Sequence, residues 1–389
     1  MTSMAHITSI SPERIAWCCH QLDITPDELA TQVGLPAERF TVQGLHNPGL
    51  TFTQLSEVAK FLGRGVLFFT ESSAPVATDR ASAAQFRTFE NNPPELSLRI
   101  KQLVERVQRQ RQIHLHLIED LEDEAWPMFE PPALKRNDIT EAARQTRRWL
   151  DLQDRNNYES YRRAVEQRGI LVFGPHGYAG PWQLSEDHPV AGFALYDRQC
   201  PVIVVKKTQS ESRRCFTLMH ELAHVLLHRS SWIDVQADLM RHDVTHEREA
   251  NQFAGLVLVP PEFLQEIDLR DLPEAVDQYD AYFKAHTLRW GVSTEVILRR
   301  LLDERRLSLQ RYEAYRNRPV DVDREEKQGG SRIYRHREPR HLFGERYVRA
   351  VLDSLSAQTI TLTKASAYLD HISVMDVHKL EEFCAHPHP

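Results

Sequence analysis

The chain has 389 residues, 41% of them hydrophobic, and a formal net charge of −7, which is the make-up of two or three ordinary soluble globular domains. The negative charge excludes a global positive field toward nucleic acid. No apolar run approaches the roughly 20 residues that span a bilayer, and the first residues lack the basic start and apolar core of a signal peptide.

The five cysteines, Cys18, Cys19, Cys200, Cys215 and Cys384, show no CxxC spacing, which argues against a disulfide framework or a cysteine zinc site. A reducing, cytoplasmic location is expected.

In chain order, residues 1–75 form a first unit, of which 9–70 read as four or five short helices. Apolar residues recur at helical spacing in Ile15, Trp17 and Leu22, in Leu29 and Val33, in Phe40 and Leu45, and in Leu55, Val58 and Leu62. Thr25-Pro26-Asp27-Glu28 is a helix start, with Thr at the cap, Pro in the first turn and Glu three residues on. Gly34 stands where that helix stops. The order helix, Gly turn, short helix is a helix-turn-helix pattern, with a candidate recognition helix over about 36–45.

Residues 76–136 form a helical connector. Its long charged helix, expected over 95–124, carries a stripe of Leu96, Ile100, Leu103, Val107, Ile113, Leu117 and Leu121. The prolines at 127, 131 and 132 break it.

A different unit follows over 137–316. Helices at 140–151 and 157–168 precede strand-like runs at 170–173, 190–196 and 201–205, the last rich in β-branched residues. Helices at 211–229 and 245–258 come next, the second stopped by Pro260-Pro261. Residues 317–389 read as a mobile linker, to about 346, and a small helical piece. The fold class is α+β and mostly helical, with a small-sheet core between helical N- and C-terminal parts.

The chemistry centres on His220-Glu221-Leu222-Ala223-His224, an HExxH. On a helix, residues i and i+4 share a face, so two imidazoles point at one spot, as two ligands of a tetrahedral Zn²⁺ require. Glu221 is offset by about 100°, within reach of an attacking water as general base. A catalytic zinc needs a third ligand and an open position. The helix at 245–258 offers Glu247, His246 and Glu249; Glu247 is favoured because its separation from His224 lets the chain return antiparallel.

Asn251, one turn beyond Glu247, is placed to hold a ligand imidazole. Glu249 is turned about 200° from Glu247 and should face away. His228 continues the row but lies two turns from His220, so it reads as a packed or hydrogen-bonded histidine. Tyr178, His188 and Tyr196 are candidates for stabilising an oxyanion. The run at 201–205 is either a plain structural strand or one that pairs with an extended substrate.

RRCFTLMHELAHVLLH followed by EREANQFAGLVLVP resembles the ImmA/IrrE family of gluzincin-like zinc metallopeptidases, whose larger members carry an N-terminal Xre-like helix-turn-helix domain. DELATQVGLPAERFTVQG and LTFTQLSEVAKFLGRGVLFF are similar to that domain. The resemblance implies a metallopeptidase domain over 137–316, zinc on His220, His224 and Glu247, and Glu221 as the catalytic residue. It implies a protein substrate, such as a helix-turn-helix repressor encoded nearby. The alternative it raises is an antitoxin-like regulator that binds DNA or a toxin and has a non-catalytic metal site.

DNA contact through the N-terminal module would fall on Arg39 and Gln43. Residues 1–75 hold four Lys or Arg against seven Asp or Glu, a net −3, which is poor for phosphate contacts. The arginines over 324–349 read as part of a solvated linker. Homo-oligomerisation is left open by the sequence.

Overall fold

In the computed structural model the described residues are 6–22, 24–71, 98–121, 126–153, 156–176, 180–184, 188–208, 210–235, 244–318 and 332–385. Residues 76–97 of the expected connector fall outside them, as do Tyr178, Arg324 and Lys327. The chain divides into two compact units, residues 1–109 and 110–389.

The first unit contains α1 (Pro12–Gln21), α2 (Pro26–Gln32), α3 (Val42–His46) and α4 (Phe52–Phe61), with a two-stranded ladder of β1 (His6–Ile7) and β2 (Leu50–Thr51). The Thr25 hydroxyl accepts the Glu28 N–H while the Glu28 carboxylate accepts the Thr25 N–H, closing the expected capping box. Gly34 leaves the helix at φ +67°, a conformation that favours glycine. Ile15, Leu29, Leu45, Leu55, Val58 and Leu62, all on the expected stripes, form its buried core.

The candidate recognition helix is not continuous. A 3₁₀ turn over Ala37–Phe40 ends at Thr41, which is extended (ψ 157°) and caps α3 by accepting the Gly44 N–H at 3.0 Å. Periodicity alone does not register such a break, because a capping Thr fits the same apolar spacing. Helix α5 (Leu98–Asp120) follows.

The second unit is built on a four-stranded sheet of described residues, in the order β3 (Leu171–Phe173), β5 (Val202–Val205), β4 (Val190–Leu195) and β6 (Trp232–Val235). β3 and β5 run parallel; the other pairs are antiparallel. All four residues of β5 are buried, as a central strand covered on both faces requires. A substrate cannot pair with β5, because β3 and β4 hydrogen-bond its two edges. It is a plain structural strand.

Helices α6 (Ile139–Leu150) and α7 (Tyr158–Glu166) precede the sheet. Helix α8 (Glu211–Ala223) lies over β4 and β5 and continues as a π-helical turn, His224–His228. Helix α9 (Val244–Leu258) packs against α8, and α6 packs against α9. Leu218, Met219 and Leu222 of α8 and Ala250, Phe253, Ala254 and Val257 of α9 are buried in one core. Helices α10 (Pro261–Gln265), α11 (Tyr279–Trp290), α12 (Thr294–Asp303) and α13 (Leu309–Arg316) add Leu264, Tyr279, Phe283, Trp290, Ile297, Leu298 and Tyr312 to it.

The linker expected to reach about 346 does not hold over the described residues from 332 on. Residues 332–337 form a 3₁₀ segment, and α14 (Glu338–Ser356) packs on β3. Phe343 and Tyr347 stand edge-on to Phe173, so apolar contact outweighs the charged composition. Arg346 is buried, with its guanidinium on the Pro127 carbonyl. Helices α15 (Leu362–Tyr368) and α16 (Val374–Ala385) follow.

The α14 junction is locked by a buried ion pair. Arg162 and Glu166, both buried, approach to 3.3 Å, and Arg162 donates to the carbonyls of His341 and Val172 while Glu166 accepts the Glu345 N–H. Gly344, at φ +80°, makes room: a Cβ there would lie 1.7 Å from a Glu166 oxygen. Arg162→Met strands the Glu166 charge and is expected to cost about 3–5 kcal/mol. Urea denaturation of the full chain checks this, and Arg162→Met with Glu166→Leu should recover most of the loss.

Candidate metal centre

The π-extended helix α8 brings the motif to the sheet. Ser210 caps its N-terminus by accepting the Arg213 N–H, and no Pro or Gly interrupts the run to His228. One face carries Leu218, Leu222 and Val225 into the core; the adjacent face carries His220 and His224. Both histidines and Glu221 are buried.

Helix α9 supplies the carboxylate. Glu247 Oε2 lies 3.2 Å from His220 Nε2, Glu247 Oε1 lies 3.3 Å from His224 Nε2, and the two Nε2 atoms are 3.2 Å apart. These groups can hold a metal ion. A tetrahedral zinc with bonds of about 2.0–2.1 Å has ligand–ligand edges of about 3.3–3.4 Å. The spacing of the three donors fits that figure.

The outward nitrogens fit as well. His220 Nδ1 lies 3.1 Å from Asn251 Oδ1, and His224 Nδ1 lies 2.9 Å from His228 Nδ1. With each ring's proton on its outward nitrogen, two imidazole lone pairs and a carboxylate converge on one point. A cation there stabilises all three.

Burial pushes the His224 imidazole below its ordinary pKa, against the opposing effect of a hydrogen bond accepted by Glu247, so it favours the neutral form that ligates metals. Burial by itself would raise the Glu247 carboxyl. When no cation is bound, hydrogen bonds donated by His220 and His224 outweigh it and hold the group well below the usual carboxylate range.

The other two carboxylate and imidazole alternatives on α9 lie elsewhere. His246 and Glu249 sit with His228 in a second cluster, in which Glu249 Oε2 is 3.1 Å from His228 Nε2. Glu249 does face away from His220 and His224, yet it reaches the third histidine of their row. Arg136 enters this cluster too, its Nη2 2.5 Å from His246 Nε2 and 3.4 Å from Glu249 Oε2. Burial first, and then the neighbouring His224, push the His228 ring down to about 4.

Of the oxyanion candidates, His188 accepts the Val190 N–H on Nδ1, and Tyr196 packs its ring against the core. In the first unit, Arg39 donates to the Gly49 carbonyl at 3.0 Å, while Gln43 is exposed on α3.

Gly192 is a site residue that carries no sequence signal. It lies on β4 beneath α8, where a Cβ would meet Thr217 Cγ2 at 2.6 Å, the Val204 carbonyl oxygen at 2.8 Å and Glu221 Oε1 at 3.2 Å. The missing side chain lets the strand approach the helix at Glu221. Gly192→Val is expected to displace Glu221 while metal content stays near wild type; elemental analysis beside a measurement of any Glu221-dependent activity, expected to fall at least about tenfold, checks the split.

Residues 186–302 match the family model of the M78 peptidases, described as the IrrE N-terminal-like domain. The matched segment runs from the approach to β4, through α8 and α9, to α12, and so contains both halves of the cluster. Comparison of the chain with curated proteins and with solved structures finds no match. No described helix is long and apolar enough to cross a membrane.

Proposed function

We propose that the chain is a zinc-dependent regulatory endopeptidase that cleaves a specific partner protein, with a helix-turn-helix repressor as the expected class of substrate. The observation that carries this reading is the convergence of His220, His224 and Glu247 beside the buried Glu221, within a segment that matches a peptidase family. Bound zinc supplies a Lewis acid that polarises the scissile carbonyl and lowers the pKa of water toward ~7.

The chain's own residues do the rest. Asn251 orients His220 through its Nδ1. Glu221, offset by about 100° from His220 on the helix, is within reach of the attacking water and takes its proton. It then returns that proton to the leaving amine. Burial of Glu221 keeps bulk water from competing for that proton.

Helical segments on both sides of the matched region offer docking surface, and remote binding energy of that kind positions one bond over the site. The test is incubation of the zinc-loaded full chain with casein, with purified helix-turn-helix repressors and with the native proteome of its source, reading new N-termini against Glu221→Gln. A few discrete, Glu221-dependent cuts and intact casein are expected. Rapid digestion of casein contradicts a regulatory role, and an absence of new N-termini contradicts peptidase activity.

A further inference from the structure

We propose that His228 and Glu249 are positioning residues that fix the tautomer of His224, and that their cluster with His246 is consequently not a second metal site. The inference rests on the zinc reading above. If His224 binds metal through Nε2, its one proton is on Nδ1. That proton points at His228 Nδ1, 2.9 Å away, which must therefore accept. A neutral His228 then carries its own proton on Nε2, which faces Glu249 Oε2 at 3.1 Å. One arrangement of protons satisfies both of these contacts, from the metal-facing nitrogen through two rings to a carboxylate.

The same count rules on the second cluster. His228, His246 and Glu249 have the donor types and spacing of a metal site. A metal on His228 Nε2 would move that ring's proton to Nδ1. With His224 also metal-bound, two N–H groups would face each other across 2.9 Å, a gap that takes one proton.

Arg136 adds a second reason. Its guanidinium already lies against Glu249 and His246, so a fixed cation stands where a metal would go. The same Glu249 oxygen that meets Arg136 still accepts from His228 Nε2, and so ends the relay. It makes His224 a stronger ligand and stops the ring from rotating, the role that carboxylates play behind metal-bound histidines.

The test is zinc binding by the full chain, measured by competition with a chromophoric chelator, together with ¹⁵N NMR of its histidine rings. Wild type should bind one zinc, with His224 protonated on Nδ1 and His228 on Nε2. His228→Phe keeps the ring shape but accepts nothing, and should weaken zinc binding about 10–100-fold. Glu249→Gln keeps an acceptor at a partly exposed position and should lose less, while His246→Ala should change affinity by less than about threefold.

Thermal melts separate these effects from misfolding. Two zinc ions per chain, His228 protonated on Nδ1, or unchanged affinity in both His228→Phe and Glu249→Gln would overturn the relay. Failure of wild type to bind zinc at all would instead overturn the reading on which it rests.

Discussion

Glu221→Gln is expected to leave the zinc in place and to lower cleavage about 10²–10⁴-fold, the range that a positioned general base contributes. The separation of effects follows from placement. The three donors that converge within bonding range of one another are His220, His224 and Glu247, and Glu221 is not among them. Gln matches Glu in shape, so the buried pocket around residue 221 keeps its packing while losing the group that accepts a proton. Zinc content is read by elemental analysis and cleavage by the appearance of new N-termini. Loss of zinc as complete as in His220→Ala would show that Glu221 is a ligand and that the roles are misassigned.

His224→Ala is expected to abolish stoichiometric zinc. Zinc sites with four protein ligands are worth about 10–16 kcal/mol at neutral pH, so one ligand in such a set accounts for roughly two to three orders of magnitude in affinity. Alanine also removes the ring that ties the donor set to His228. The protein should purify with about one zinc per chain as wild type and near none as His224→Ala. Because the ring is fully buried, a melt of both proteins without metal shows how much of the change is packing. Retention of a full equivalent of zinc by the variant would contradict the donor set.

The parts of the site that are legible in the sequence are those set by one helix. An i, i+4 pair of histidines must share a face, and their Nε2 atoms do lie 3.2 Å apart. Glu247 was legible less directly, because its position depends on a turn between two helices. His246 and Glu249 compete with it on composition, and only the rotation of α9 separates them.

That rotation hid the relay. Facing away from one pair of histidines is a correct deduction for Glu249, but the row extends to His228 on a π-helical turn, and the carboxylate meets it there. Gly192 was invisible for a different reason: its importance lies in what a side chain would strike on another element.

What the sequence leaves open or hides elsewhere has similar causes. The order of strands in a sheet is a tertiary fact, so the central place of β5 could not be read from its Val-rich run. Thr41 breaks the candidate recognition helix by a local cap that leaves the apolar spacing untouched. The arginines of 332–349 suggested a solvated linker, yet Arg346 is buried with Leu342, Phe343 and Tyr347 in a packed helix. By contrast, the capping box at Thr25 and the stripes of the first unit were fully legible, because they depend only on neighbours in sequence.

Zinc-edge X-ray absorption of the wild-type protein tests the central claim most directly. The account predicts one zinc with two imidazoles, one carboxylate and one further light-atom ligand, all at about 2.0–2.2 Å. A shell of sulfur at about 2.3 Å, or a spectrum unchanged in Glu247→Gln, would contradict it.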